Sequence, residues 1–201
     1  MYLFGDTYFE TLILKNTFQG VFLFFIISEL LMWIDIKFNN RKNMGSKQRY
    51  DKGSYFLIVL GFCSIIALNP ICRRIFSNLL PIWCFWIGTI FIMLGVFLRA
   101  YSIYTLGKFF TLSVQVNSEQ KIIQIGPYKY LRHPSYSGSI LSLIGTSLCF
   151  RSIMGIIVTL TIIAIIYGNR IAIEEKILEN SFGTIYKEYE RNTSKIIPFI
   201  W

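Results

Sequence analysis

Two polar segments hold most of the residues in this chain that can do chemistry. The first is GPYKYLRHPSYSG, residues 126–138, which contains the single histidine, His133, with Lys129, Arg132 and three tyrosines. The second is NRIAIEEKILENSFGTIYKEYE, residues 169–190. In the first, Gly126-Pro127 signals a turn. Pro134 excludes His133 from the α region and suits the first position of a helix. The spacing predicts a turn at 126–127, a short run from Tyr128 to Arg132, and a helix starting near Pro134. Such a start offers unpaired N–H groups and the positive end of a dipole. Arg132 and His133 add donors, so the place suits a small anionic group such as a carboxylate. Tyr128, Tyr130 and Tyr136 can pack against a flat ring and still hydrogen-bond. The same residues also fit a membrane-entry loop with an aromatic belt and snorkelling cations, and on physics alone the two readings stand level.

In the second segment, Arg170 and Glu174 are four apart and share a helix face, whereas Glu175 falls elsewhere. Ile173, Ile177 and Leu178 supply an apolar stripe, and Gly183 is expected to break the helix before Tyr186 and Tyr189. An interfacial Arg–Glu pair by itself is worth only about 0.3–0.5 kcal/mol. The pair gains weight from its place, because it leaves an apolar block on the same side as residues 126–138. A charge at a membrane boundary that faces a protein cavity marks a candidate site.

The elements that must position these residues are apolar. The chain has 201 residues, 54% of them hydrophobic and 15% charged. A soluble domain carries about 25% charged residues. The net charge of +9 does not point to nucleic acid, since the cations sit between apolar blocks and not on one basic face. Five blocks stand out: Phe18–Ile34, Tyr55–Leu68, Leu79–Leu98, Ser137–Phe150 and Ile153–Tyr167. A straight spanning helix needs about 20 residues, so the third qualifies cleanly and the second, fourth and fifth are short. Backbone groups in lipid must pair internally, which requires helices. The expected fold is therefore an all-α integral membrane protein of about five transmembrane helices. Arg151-Ser152 leaves room only for a tight hairpin between the fourth and fifth helices, where Gly138, Gly145 and Gly155 would permit close approach. A cytosolic helix follows at the C-terminal end. Residues 1–201 form one domain, with membrane helices in 1–98 and the chemistry in 99–201.

Lysines and arginines set the orientation. Residues 37–53, 99–135 and 170–201 hold sixteen of the twenty, against Lys15, Arg73, Arg74 and Arg151 on the other side. The positive-inside rule places the N-terminus outside and the C-terminus in the cytosol. Segments 99–135 and 170–201 then share a face. The expected location is a bacterial inner membrane, or the endoplasmic reticulum in a eukaryote. Cys63, Cys72, Cys84 and Cys149 are scattered, and with one histidine they suggest neither a disulfide framework nor a metal site. MYLFGDTYFE lacks a basic n-region, so no cleaved signal peptide is expected. The sequon Asn192-Thr193-Ser194 falls on the predicted cytosolic side and reads as a chance match.

RHPSYSG (132–138), RIAIEEKILENSFGTIYKEY (170–189) and IIPFI (196–200), in this order, resemble the isoprenylcysteine carboxyl methyltransferases, integral membrane enzymes that use S-adenosylmethionine. LGKFFTLSVQV (106–116) and KIIQIGPYKYLRHPSY (121–136) extend the similarity over roughly residues 99–201. The first half matches only in being hydrophobic helices. The resemblance implies a cofactor pocket on the cytosolic face. By position, its contacts would be Gln115, Gln120, Lys121, Ile122, Ile123, Tyr128, His133, Pro134, Ser135, Tyr136 and Glu174. Arg170 would meet the substrate, and Arg170 with Glu174 would form the catalytic pair. Gln120 stands where the family often has histidine.

The implied chemistry needs no metal and no general base. A sulfonium donor is already activated, and a carboxylate is ionised at neutral pH. The protein must align oxygen, methyl carbon and sulfur and exclude water. The acceptor would be a lipophilic or prenylated carboxylate that enters between helices from the membrane lipids. Rival readings are a phospholipid or other small-amphiphile N-methyltransferase, a nicotinamide-dependent membrane reductase, and a non-enzymatic membrane protein. An amine acceptor would need a proton acceptor and gain nothing from Arg170.

Overall fold

The computed structural model describes residues 8–42, 48–49, 54–76, 79–110, 115–116 and 122–198. Six α-helices carry the fold: α1 (Leu12–Lys42), α2 (Ser54–Ile75), α3 (Trp83–Leu106), α4 (Pro134–Phe150), α5 (Ile153–Phe182) and α6 (Thr184–Arg191). The expectation of helices alone needs one amendment. Strands β1 (Gln48–Arg49) and β2 (Gln115–Val116) pair antiparallel, Gln48 opposite Val116 and Arg49 opposite Gln115. They tie together the α1–α2 and α3–α4 connections.

Among the described residues, three helices are long and apolar enough to cross a membrane: α2 from Phe56 to Ile75, all of α3, and all of α5. The fold is thus an all-α, multi-pass membrane protein, with three of the five expected spans meeting that criterion. α4 is 17 residues long and is enclosed by its neighbours. Leu143 of α4 packs with Ile65, Ile163, Tyr167 and Ile171 of α2 and α5, and with Ile196. The other end of α4, at Cys149 and Phe150, joins an aromatic cluster with Phe9, Phe18, Phe22, Phe25 and Phe85.

The glycines of α4 serve a different contact from the one expected. A Cβ on Gly145 would stand 2.6 Å from the carbonyl oxygen of Gly88, and one on Gly138 would stand 2.6 Å from that of Gly95. The reverse contacts are equally close. Gly88 meets Gly145 while Gly95 meets Gly138, so α3 and α4 run antiparallel, backbone against backbone. Gly155 faces α2, where a Cβ would lie 2.6 Å from Asn69 Oδ1. Sequence spacing exposes a small-residue face but does not name its partner, and here α3 took the place expected of α5. In lipid, such close packing replaces the missing hydrophobic drive between helices.

Buried Asn69 adds a polar tie. Its Nδ2 donates to Ile65 O and Thr159 Oγ1, and its Oδ1 accepts from Ser147 Oγ. Between α4 and α5, Arg151 adopts φ 57°. It compensates by bonding outward, Nε to Leu80 O at 2.7 Å and Nη1 to Glu10 Oε1 at 2.9 Å. Ser152 caps α5 by accepting from Gly155 N.

Candidate active site

Residues 126–138 fold as their types require. Gly126 takes φ 56°, residues Gly126–Lys129 form a 3₁₀ turn, and His133 sits at φ −124°, ψ 54°, just before α4. α6 then docks onto this cassette. Tyr189 donates its hydroxyl to Tyr128 O at 2.8 Å and Leu131 O at 3.3 Å. The chain after α6 runs alongside: Arg132 N donates to Ser194 O, His133 N to Lys195 O, and Ser194 N to Tyr130 O. Ser137 Oγ donates to Ile196 O at 2.6 Å. Gly183, at φ 54°, makes the bend between α5 and α6 that allows this return.

Arg170 and Glu174 meet through a third residue. Tyr136 donates its hydroxyl to Glu174 Oε2 at 2.7 Å and accepts from Arg170 Nε at 3.1 Å. Its ring stacks on His133, with centroids 5.5 Å apart and planes at 13°, and meets Tyr167 edge-on. Arg170 is 3% exposed, so its orientation is fixed by protein and not by solvent. His133, Tyr136, Arg170 and Glu174 therefore form one constellation built from α4, its leading residue, and α5.

Glu175 does a separate job. It accepts from Arg132 Nε at 2.8 Å and from Lys195 Nζ at 2.9 Å. Arg132 also reaches Glu190 O and Thr193 O. Its expected role as a donor to a small anion is corrected by these contacts, since its donors face protein acceptors. One glutamate thus faces the site, and its neighbour clamps the cassette to α5 and the C-terminal segment.

Two buried polar atoms have no hydrogen-bond partner among the described residues, His133 Nε2 and Tyr186 Oη. His133 Nε2 lies 3.5 Å from Glu175 Oε1. Leaving the Tyr186 hydroxyl unpaired costs about 1–3 kcal/mol, and His133 Nε2 has only this long contact. A ligand with both donor and acceptor groups would satisfy them, and the aminoacyl end of S-adenosylmethionine has both. Burial raises the pKa of Tyr186, and the charge of Glu175 raises it further; burial likewise raises Tyr128 and Tyr189. All three phenols stay protonated and able to donate at neutral pH.

The remaining expected contacts are placed as follows. Tyr128, Pro134 and Ser135 are buried in the cassette, and Ile122 and Ile123 are half-buried before it. Gln115 lies in β2. Gln120 and Lys121 fall outside the described residues. Sequence reasoning missed Tyr186, whose signal was its place three residues past the Gly183 bend, and Glu175, whose signal was the adjacent glutamate pair. Among the described residues, no group of three or more His, Cys, Asp or Glu is arranged to hold a metal ion.

A family profile described as phospholipid methyltransferase matches residues 83–185. Protein-S-isoprenylcysteine O-methyltransferase B of Arabidopsis thaliana is 27% identical over 98% of this chain and 98% of its own length. That alignment takes in the N-terminal half, which the sequence motifs alone had left unmatched. The Saccharomyces cerevisiae protein-S-isoprenylcysteine O-methyltransferase is 31% identical over 63% of this chain and 54% of its own. Among solved structures, the eukaryotic intramembrane Ras methyltransferase ICMT superposes with a TM-score of 0.65 and 25% identity, covering 92% of this chain and 68% of that one.

Proposed function

From the premise that this chain belongs to the phospholipid methyltransferase family, as an isoprenylcysteine carboxyl methyltransferase-like membrane enzyme, we propose that it methylates the carboxylate of a lipophilic acceptor. The observation that carries this reading is the Tyr136 bridge between Arg170 and Glu174. It brings a guanidinium and a carboxylate to one phenol hydroxyl beside His133. A guanidinium so held can orient a substrate carboxylate through parallel hydrogen bonds. Glu174, which accepts from the Tyr136 hydroxyl, offers a carboxylate that can receive an ammonium.

S-adenosylmethionine, when bound, supplies a methyl group already activated on a sulfonium sulfur. The chain's own work is to bind, align and exclude water. His133, Pro134, Ser135, Tyr136, Tyr128 and Glu174 are the residues we assign to the cofactor, with Gln115, Gln120, Lys121, Ile122 and Ile123 completing the cup. Arg170 is assigned to the acceptor. The His133–Tyr136 stack, with Tyr167 edge-on against it, shields one side from water. We assign residues 1–201 to one domain with the N-terminus outside and the C-terminus cytosolic. Five spans follow if α1 and α4 are counted with the three long apolar helices. The acceptor's lipid part then reaches the site laterally between helices.

The test is incubation of the purified protein with methyl-labelled cofactor and a lipid extract, followed by identification of the labelled product. A base-labile methyl ester is expected. The profile's phospholipid description favours an amine acceptor as the second reading, and a label that resists mild alkali would establish it instead. Arg170→Ala is expected to lower transfer about a hundredfold or more while cofactor affinity changes little. Equal loss of both would remove Arg170 from the acceptor.

A further inference from the structure

Arg99 occupies a poor place for a cation. It lies on α3 against the first turn of α4, whose N-terminal end already carries partial positive charge. Its Nη1 donates to Ser135 Oγ at 3.1 Å, Ser135 O at 3.4 Å and Ser139 Oγ at 2.7 Å. Glu29 of α1 offsets the charge, with Oε1 2.8 Å from Arg99 Nε. The two side chains are only 17% and 22% exposed. A mostly desolvated ion pair is weak evidence for stability, and ionisable residues within membrane helices tend to serve function.

The geometry links this pair to the site from the far side. Ser139 Oγ also donates to Ser135 O, so the first turn of α4 is held twice. Arg99 reaches it because α3 and α4 touch backbone to backbone there. A Cβ on Gly138 would lie 2.7 Å from Arg99 N. Ser135 stands between Pro134 and Tyr136, and Tyr136 faces Arg170 and Glu174 of α5. The turn is thus gripped by α1 and α3 on one face and by α5 on the other.

We propose that Glu29 and Arg99 are positioning residues for methyl transfer: the pair locks the first turn of α4 and thereby fixes where His133 and Tyr136 stand. This rests on the reading of that turn as the cofactor cup. It also gives α1 a part in the site without touching any reacting group.

The experiment compares wild type with Arg99→Gln, Arg99→Lys, Glu29→Gln, Ser135→Ala and the double variant Arg99→Gln/Ser135→Ala in nanodiscs. Cofactor Kd is read by calorimetry, kcat and KM by labelled methyl transfer, and Tm by thermal unfolding. Arg99→Gln is expected to weaken cofactor binding about tenfold and to lower kcat, with acceptor KM little changed. Arg99→Lys should recover part of the loss. The Arg99 and Ser135 effects on Kd should be non-additive, because they share one hydrogen bond. A fall in Tm with wild-type Kd and kcat, or an additive cycle, overturns the proposal. If Arg99→Gln fails to fold, Glu29→Gln decides it on the same readouts. A wild type that binds no cofactor would instead sink the methyltransferase reading itself.

Discussion

Adjacent glutamates in this chain make different contacts, and the difference in duty proposed for them is testable. Glu174 accepts from Tyr136 beside the site, whereas Glu175 accepts from Arg132 and Lys195 in a clamp with side-chain exposures of 13%, 5% and 30%. Breaking a buried ion pair by removing one partner costs about 3–5 kcal/mol. Glu175→Gln is therefore expected to lower Tm markedly, with near-normal cofactor affinity in the folded fraction. Glu174→Gln should do the reverse, weakening cofactor binding at little cost in Tm. Calorimetry and thermal unfolding on both variants check this, and a matching pattern in the two would refute the division. Tyr186 makes a sharper case because its effects should have opposite signs. Its buried hydroxyl lacks a protein partner among the described residues. Tyr186→Phe removes an unsatisfied group and should raise the Tm of cofactor-free protein by an amount equivalent to about 1 kcal/mol. The same change should weaken cofactor binding, and no change in either quantity would show the hydroxyl to be idle.

At the scale of elements, α3 and α4 are the pair that sets the site, and glycine decides their distance. Gly88 and Gly145 approach so closely that an added Cβ would meet backbone, which cannot move aside as a flexible side chain can. Gly145→Ala should separate the helices and cost about 1–3 kcal/mol. A Cβ added at Gly168, on α5, would meet nothing within 4 Å among the described residues. Gly168→Ala should be neutral or stabilising by up to about 1 kcal/mol, since alanine is the better helix former. The two substitutions are chemically identical, so opposite shifts in Tm would isolate helix approach as the cause. Similar shifts would mean that propensity, not packing, dominates at both positions. α6 completes the arrangement from the other direction. Its Tyr189 ties it to the cassette, and the segment beyond it pairs with residues 130–133.

At the scale of the whole molecule, four of the twenty lysines and arginines lie outside the three cation-rich segments. Two of the cations on the minority side are consumed locally. Arg73 donates to Phe150 O, and Arg151 to Leu80 O and Glu10. These are structural ties at the end of the bundle far from the cassette. With the proposed orientation, a cysteine in place of Lys187, which is 57% exposed on α6, should react with an impermeant thiol reagent only when the cytosolic face is accessible. A cysteine replacing Leu12, 62% exposed, should react from the other side, in a background lacking Cys63. Labelling of Lys187→Cys from outside intact cells would invert the topology.

What the sequence determined by itself was local or additive. Apolar blocks and charge counts gave a multi-pass helical protein, Pro134 and Gly126 set the cassette's turn and helix start, and Gly183 set the break before α6. Ordered short motifs pointed to the family. What only the tertiary structure decided was partnership. Helical spacing shows that Arg170 and Glu174 share a face, but Tyr136 joins them from 34 and 38 residues away. A small-residue face on α4 does not announce whether α3 or α5 will fill it. Arg132 looks like a free donor until Glu175, Glu190 and Thr193 arrive from distant positions to occupy it. The physical reason is common to all three. Periodicity follows from backbone geometry and is written into neighbouring residues, whereas satisfaction of a buried polar group depends on whichever acceptor folding brings within about 3 Å.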